Sequence, residues 1–267
     1  MRLIFEEQTR ILRRCIFDVH NEVGVGYPEE AYHQAFLACC ASRRIPALSR
    51  QSGRLQHRDV VVHTFQYDLL AFGEIILELK ALPAGFAREN FVQILSYLKF
   101  WRKPLGLLVN FGQEKAKIER LPFHEKDLVI SEDYTHIPPN LSPADKRLLR
   151  EIREGVLAVA KTHGIGYGDT VCAKLLQAEW EHRHLSVHSQ LMSPVQFEGA
   201  LIGTFPVDGM LVGERVLCYV TALKDEIGPF EIGKTQSYLR AMSIPVGIVI
   251  NFGRQALQVR AVCPPNR

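Results

Sequence analysis

The stretch YDLLAFGEIILELKAL, residues 67–82, decides the fold. Two short runs of apolar residues flank Phe72-Gly73-Glu74, which predicts a hairpin with a three-residue loop. In that register Leu70 lies opposite Ile76, and Asp68 opposite Glu78. Strand side chains alternate between faces, so Glu78 and Lys80 share one face and Asp68 joins them across the hairpin. Two carboxylates and an amine thus converge within an otherwise apolar run. Burying such charges is costly unless they are paired, hydrogen-bonded or bound to an ion. Two readings are open from these three residues: a solvated sheet face carrying an ion pair, or a divalent-metal site with a lysine beside it.

Outward from the hairpin, residues 5–23 place Ile11, Leu12, Cys15, Ile16, Val19 and Val23 at helical spacing, and Gly24 and Gly26 end that helix. Pro28 opens a second helix running to about Arg43, with Glu29 and Glu30 at the positive end of its dipole. Strands are expected at 47–51, 54–62 and 64–71 before the 74–82 strand. A helix at 86–101 follows, then the strands PLGLLVNFG (104–112) and KAKIERLPF (115–123). The region from about 122 to 143 holds Pro122, Pro138, Pro139 and Pro143 among polar residues and reads as a linker.

The pattern then repeats. GVGYPEEAY (24–32) matches GIGYGDTVC (164–172), and YDLLAFGE (67–74) matches VDGMLVGE (207–214), both offset by 140. SYLKF (96–100) matches SYLRA (237–241), and PLGLLVNFG (104–112) matches PVGIVINFG (245–253), both offset by 141. The offset is expected to change once, just after Glu214. Two domains, 1–123 and 144–267, joined by a 124–143 linker, are the simplest account. The second copy serves as an internal control. It keeps the apolar pattern, the NFG turn and Asp208 for Asp68, but places Tyr219 at Glu78, Thr221 at Lys80, Asp169 at Glu29, Cys172 at Tyr32 and Lys234 at Gln93. The scaffold therefore does not require Glu78 and Lys80, which favours the metal-site reading.

Composition excludes several classes. Apolar residues make up 47% of the 267, enough for a real core, and the net charge of +3 carries no basic arm, so nucleic-acid contact would need a local patch. No apolar run approaches the ~20 residues of a membrane span, and the opening MRLIFEEQTRILRR has acidic residues unlike a signal peptide. The six cysteines form no CxxC and suggest reduced thiols, hence a cytoplasmic protein.

Asp68, nine residues, then Glu78-x-Lys80 resembles the core of the PD-(D/E)XK nuclease superfamily, with Tyr67 where the proline of the name stands. More narrowly, the first copy resembles its GxxExxY group: Gly26-x-x-Glu29-x-x-Tyr32 preceded by VHNEVGVG, then Gln93 in QILSYL, then Asn110-Phe111-Gly112. The resemblance covers about 15–121 well and about 155–262 as a degraded copy. It implies an α/β fold of two tandem PD-(D/E)XK nuclease-like domains, each a mixed sheet flanked by helices. It also implies a Mg²⁺- or Mn²⁺-dependent nuclease with one competent site, in the first domain. Asp68 and Glu78 would supply metal ligands, with the Leu79 carbonyl as a further oxygen. Lys80 would orient or deprotonate a water, or stabilise charge developing on phosphorus. Glu29 stands either as a further acidic residue at the metal or as a helix-dipole partner. Gln93 either positions water or phosphate or is an exposed helix residue. Tyr32 reads as packing, His20 as a helix-end cap or a site neighbour, and Trp101 as core.

Weaker candidates are Arg43, Arg44, Arg50, Arg54 and Arg58 as a phosphate patch or ordinary surface, and His182, His184 and His188 as a metal cluster or a solvated face. Gly24-x-Gly26 follows a helix, not a strand, so it is not a dinucleotide fingerprint. The alternative function is a non-catalytic module of the same fold that binds nucleic acid or a protein. In either case the two repeats are expected to form an intramolecular pseudo-dimer, with no membrane partner.

Overall fold

A computed structural model describes residues 4–137 and 141–264. Pro138 and Pro139, part of the expected linker, lie outside the described residues. The chain divides into two units, 1–55 with 64–125, and 56–63 with 126–267.

The first part of the chain runs α1 (Glu6–Val23), α2 (Glu29–Ser42), β1 (Ala47–Ser49), β2 (Ser52–His57), β3 (Val60–Gln66), β4 (Leu69–Ala71), β5 (Ile75–Lys80), α3 (Arg88–Trp101), β6 (Leu105–Asn110) and β7 (Lys117–Pro122). Its main sheet has the order β1-β4-β5-β6-β7, with β5 and β6 parallel and the other neighbours antiparallel. A parallel pair needs a crossover, and α3 supplies it. Ile75, Leu77 and Leu79 of β5 turn to one face and join Leu12, Cys15, Ile16, Tyr32 and Phe36 of α1 and α2 in the core. On the other face α3 covers the sheet, its Ile94 and Leu98 side chains lying over Gly106 of β6. With helices on both faces, β5 is buried along its length, and the charges of Glu78 and Lys80 must be accommodated inside.

The hairpin forms in the expected register: Leu69 pairs with Leu77, Leu70 with Ile76 and Ala71 with Ile75. Phe72 (φ 54°) and Gly73 (φ 72°) make the turn in the left-handed region.

Two expected strands are divided: 64–71 is split between the end of β3 and β4, with Tyr67 and Asp68 outside both, and 54–62 between β2 and β3. Arg58 takes φ 51°, and the chain reverses between β2 and β3 as a separate two-stranded hairpin. The tip, 56–63, belongs to the second unit.

The expected 124–143 linker is also not free of regular structure. It contains β8 (Ile130–Asp133). The chain continues as α4 (Pro143–His163), α5 (Asp169–His182), β9 (Val187–His188), β10 (Leu191–Phe197), β11 (Ala200–Val207), β12 (Met210–Val212), β13 (Val216–Ala222), α6 (Pro229–Met242), β14 (Val246–Phe252) and β15 (Leu257–Val262). The second sheet is ordered β8-β15-β14-β13-β12-β9, with β13–β14 parallel as in the first copy, and β8 added alongside β15. Ser142 caps α4, its hydroxyl accepting from the Asp145 amide.

Pairing corrects the place of the extra residue. Met210 pairs with Cys218 and Val212 with Val216, so β12 matches β4 at an offset of 141 rather than 140. The insertion therefore precedes β12 and sits at Gly209 (φ 152°), between Asp208 and Met210, not after Glu214. The turn confirms this: Gly213 (φ 59°) and Glu214 (φ 61°) take the conformations of Phe72 and Gly73. The VGE/FGE likeness misled because the position of a turn follows strand register, not residue identity.

In the NFG turn, Asn110 is fully buried at the end of β6. Its side chain accepts from the Leu82 and Gly112 amides and donates to the Leu82 and Ala84 carbonyls. Gly112 lies against the same backbone, where an added Cβ would come within 2.5 Å of the Leu82 nitrogen. Gly112→Ala is expected to cost about 1–3 kcal/mol by forcing that backbone apart, read as a lower denaturant midpoint at unchanged slope.

Candidate active site

Three elements bring the acidic groups together. β5 places Glu78 and Lys80 on the face away from α1 and α2. Asp68 lies just before β4, and its Oδ2 accepts from the Leu79 amide at 2.7 Å. Glu29 stands on the first turn of α2, where Pro28 enters at φ −67°. Lys80 Nζ donates to Glu78 Oε1 at 2.7 Å and lies 3.9 Å from Glu29 Oε2.

Glu78 is 2% exposed, and its Oε2 is buried without a hydrogen-bond partner. Burial, then the nearby Asp68 charge, pushes its carboxyl up to about 8 against the pull of Lys80. Glu29 is raised by burial, with Lys80 opposing and Asp68 adding. For Lys80, burial opposes the charge, but Glu78 and then Glu29 and Asp68 outweigh it, so the ammonium is held above its ordinary range. The lysine is therefore a fixed cation in this arrangement, not a ready base.

Gln93 sits on α3 and donates from Nε2 to the Tyr97 hydroxyl at 2.7 Å. Tyr97 is buried beside the acidic cluster. Its phenol is raised by burial and then by the charge of Glu78. Tyr97 was not singled out in the sequence, although its i+4 spacing from Gln93 was a usable signal. His33 was also missed. It is 2% exposed, and its Nε2 lies 3.1 Å from Ser49 Oγ and 3.4 Å from the Asp68 carbonyl oxygen.

Other candidates are placed elsewhere. Tyr32 stacks on Phe111 with ring centroids 4.8 Å apart and donates to the Gly24 carbonyl, a packing role. His20 Nε2 meets the Gln113 carbonyl at 2.8 Å, away from the acids. Trp101 belongs to an aromatic cluster with Phe65, Tyr67, Tyr97 and Phe100. Of the five arginines, Arg43 pairs with Asp18, Arg50 with Glu30 and Arg58 with Glu179, which weakens any phosphate patch. His188 pairs with Glu214. Among the described residues no group of three or more His, Cys, Asp or Glu is placed to hold a metal ion. The three histidines thus form no metal cluster, and Glu29 does not join Asp68 and Glu78 in a three-carboxylate one. Mg²⁺ needs only one or two carboxylates beside water and phosphate, and the orphaned Glu78 oxygen next to Asp68 fits that requirement.

In the second copy, Tyr219 pairs with Val249 as Glu78 pairs with Leu108, and Thr221 with Asn251 as Lys80 with Asn110. Lys234, at the Gln93 position, bonds Asp208 at 2.5 Å and lies 4.9 Å from the Tyr219 ring centroid. A cation–π and ion-pair arrangement fills the place of the buried acid.

The molecule is thus a tandem pair of mixed α/β domains, one of which carries Glu78 and Lys80 on a central strand and Asp68 just before the neighbouring one. A family model described as the PD-(D/E)XK nuclease superfamily matches residues 6–121 and again 146–262, and the chain belongs to that superfamily. Nucleases of this superfamily generally use divalent metal ions. Neither a comparison with curated proteins nor one with solved structures finds a match. Among the described residues no helix is long and apolar enough to cross a membrane.

Proposed function

We propose that the protein is a Mg²⁺- or Mn²⁺-dependent nuclease that hydrolyses phosphodiester bonds at one competent site, in its first copy. The observation that carries this reading is the unpartnered, buried Oε2 of Glu78 beside Asp68 and Lys80. The reading includes membership of the GxxExxY group and division into domains at 1–123 and 144–267 with 124–143 between them. It also takes the second copy to be degenerate and the two repeats to be an intramolecular pseudo-dimer. Six free cysteines support a cytoplasmic location.

Asp68 and Glu78 would hold the metal. A bound divalent cation supplies charge to a phosphate oxygen and acidifies a water. Lys80, held charged, stabilises the extra negative charge on the phosphoryl group. Glu29 keeps a third carboxylate at the edge of the cluster, and Gln93, fixed by Tyr97, positions water or phosphate. The second reading is a module that binds nucleic acid or a protein without cutting; the pairing of Arg43, Arg50 and Arg58 leaves those cations engaged and favours its protein-binding form.

Cleavage of single- and double-stranded DNA and RNA with Mn²⁺, against EDTA, separates the two. Metal binding has its own readout. Saturating Mn²⁺ at ~100 times its dissociation constant is expected to add about 2.7 kcal/mol to stability. Binding near pH 7 releases a proton from Glu78. Glu78→Gln should remove both the stabilisation and the proton release. Wild-type protein that neither cuts nor is stabilised by Mn²⁺ or Mg²⁺ would defeat the proposal.

A further inference from the structure

The duplication supplies two hairpins at one topological position, β2–β3 and β10–β11, and they are treated differently. The tip of β2–β3 is engaged within the second unit. There Arg58 Nε donates to Glu179 Oε2 of α5 at 2.8 Å, and His57 Nε2 lies 2.9 Å from the same oxygen. Glu179 is fully buried, and Arg183 completes its pairing at 2.8 Å while also facing Glu151 and Glu154 of α4.

At the constant offset of 140, Phe197 replaces His57 and Glu198 replaces Arg58, with φ 49° at Glu198 and 51° at Arg58. The second tip is therefore built like the first but carries the opposite charge. It is also bare: Phe197 is 66% exposed, Leu201 64% and Ile202 60%. Large apolar side chains clustered at an exposed tip mark an interaction site.

The counterpart of the receiving surface, on α1 and α2 of the first copy, has lost its acids. Ile11 and Arg14 stand where Glu151 and Glu154 do, and Cys39 where Glu179 does. Arg10, Ile11, Arg14 and Arg43 line a cavity of about 370 Å³ there. No ion-pair partner for Arg10 or Arg14 is present among the described residues. The tip has thus changed from base to acid, while the receiver has lost its three acids and gained Arg14, and Glu198, Arg10 and Arg14 are all exposed.

We propose that the β10–β11 hairpin of one chain docks on the α1–α2 face of a second copy of the same chain, with Glu198 against Arg10 and Arg14 and Phe197 against Ile11. The contact is heterologous, since different surfaces meet, and it joins chains head to tail. It does not depend on the nuclease reading.

The test is the mass of the full-length protein by sedimentation or light scattering from about 1 to 100 μM. The wild type should exceed the mass of one chain and grow with concentration, less so at high salt. Glu198→Arg and Arg14→Glu should each weaken association by about tenfold or more, because like charges then face each other. Mixing the two variants should restore it, since each supplies the sign that the other lacks. Both residues are exposed, so far-UV circular dichroism should be unchanged. A wild type of one-chain mass throughout, association indifferent to both substitutions, or a mixture no stronger than either variant would each overturn the proposal.

Discussion

Lys80→Ala is expected to lower nucleic-acid cleavage by about a thousandfold or more while leaving the fold and the Mn²⁺-induced stabilisation in place. The loss is large because Lys80 is held as a cation inside the site, 13% exposed, by Glu78, Glu29 and Asp68. Its charge needs no reorganisation when a phosphoryl group gains negative charge, and it is most effective where water is excluded. The fold should survive because the second copy holds Thr221 at this position, in the same register on a central strand. Metal affinity should be kept or increased, since Lys80 Nζ competes for Glu78 Oε1. Single-turnover cleavage rates beside thermal melts with and without Mn²⁺ read both effects. A variant that cuts within tenfold of wild type would remove Lys80 from the chemistry.

Glu179→Ala is expected to cost about 3–5 kcal/mol of stability, because it leaves the cations around a buried site without their partner. Glu179 gathers Arg58, Arg183 and His57 around one fully buried carboxylate. Burial by itself would raise its carboxyl. The hydrogen bonds from Arg58, then Arg183 and His57, outweigh burial and hold it at about 2. A depressed carboxylate contributes stability that is present above its unfolded value near 4.5 and is lost as pH falls from there towards 2. At neutral pH the difference is worth about 3 kcal/mol. Wild-type stability should therefore drop between pH 5 and 2 more steeply than that of Glu179→Gln, the two curves approaching each other at the acid end. Denaturant melts across that range measure it, and parallel curves would show that the cluster does not titrate as a stabilising unit.

The residues of the site were legible in the sequence because a hairpin with a tight turn has a nearly unique register. Given Phe72-Gly73, alternation puts Asp68, Glu78 and Lys80 on one face without knowledge of anything farther away. The duplication was equally legible, and it showed that Glu78 and Lys80 are not needed for folding. The turn at Arg58 and the insertion at Gly209 were not, because each is set by what a strand pairs with. Likeness of residues at an offset of 140 extended across Val212-Gly213-Glu214 even though the pairing had already shifted. β8 was hidden in polar, proline-flanked sequence because its partner, β15, lies over a hundred residues away.

Local periodicity and turn chemistry are properties of neighbouring residues, and they determined on their own the hairpin, the helices around it and the two-copy plan. Burial and partnership depend on which distant segments meet. Only the tertiary structure decided that Glu78 is enclosed with one oxygen unpaired, that Lys80 is a paired cation, and that Tyr97 is buried close enough to feel the charge of Glu78. The same holds for the two hairpin tips, since Arg58 finds a buried Glu179 and Glu198 remains exposed. Electrostatic consequences follow from exclusion of water, which is a property of the packed fold and not of any stretch of chain.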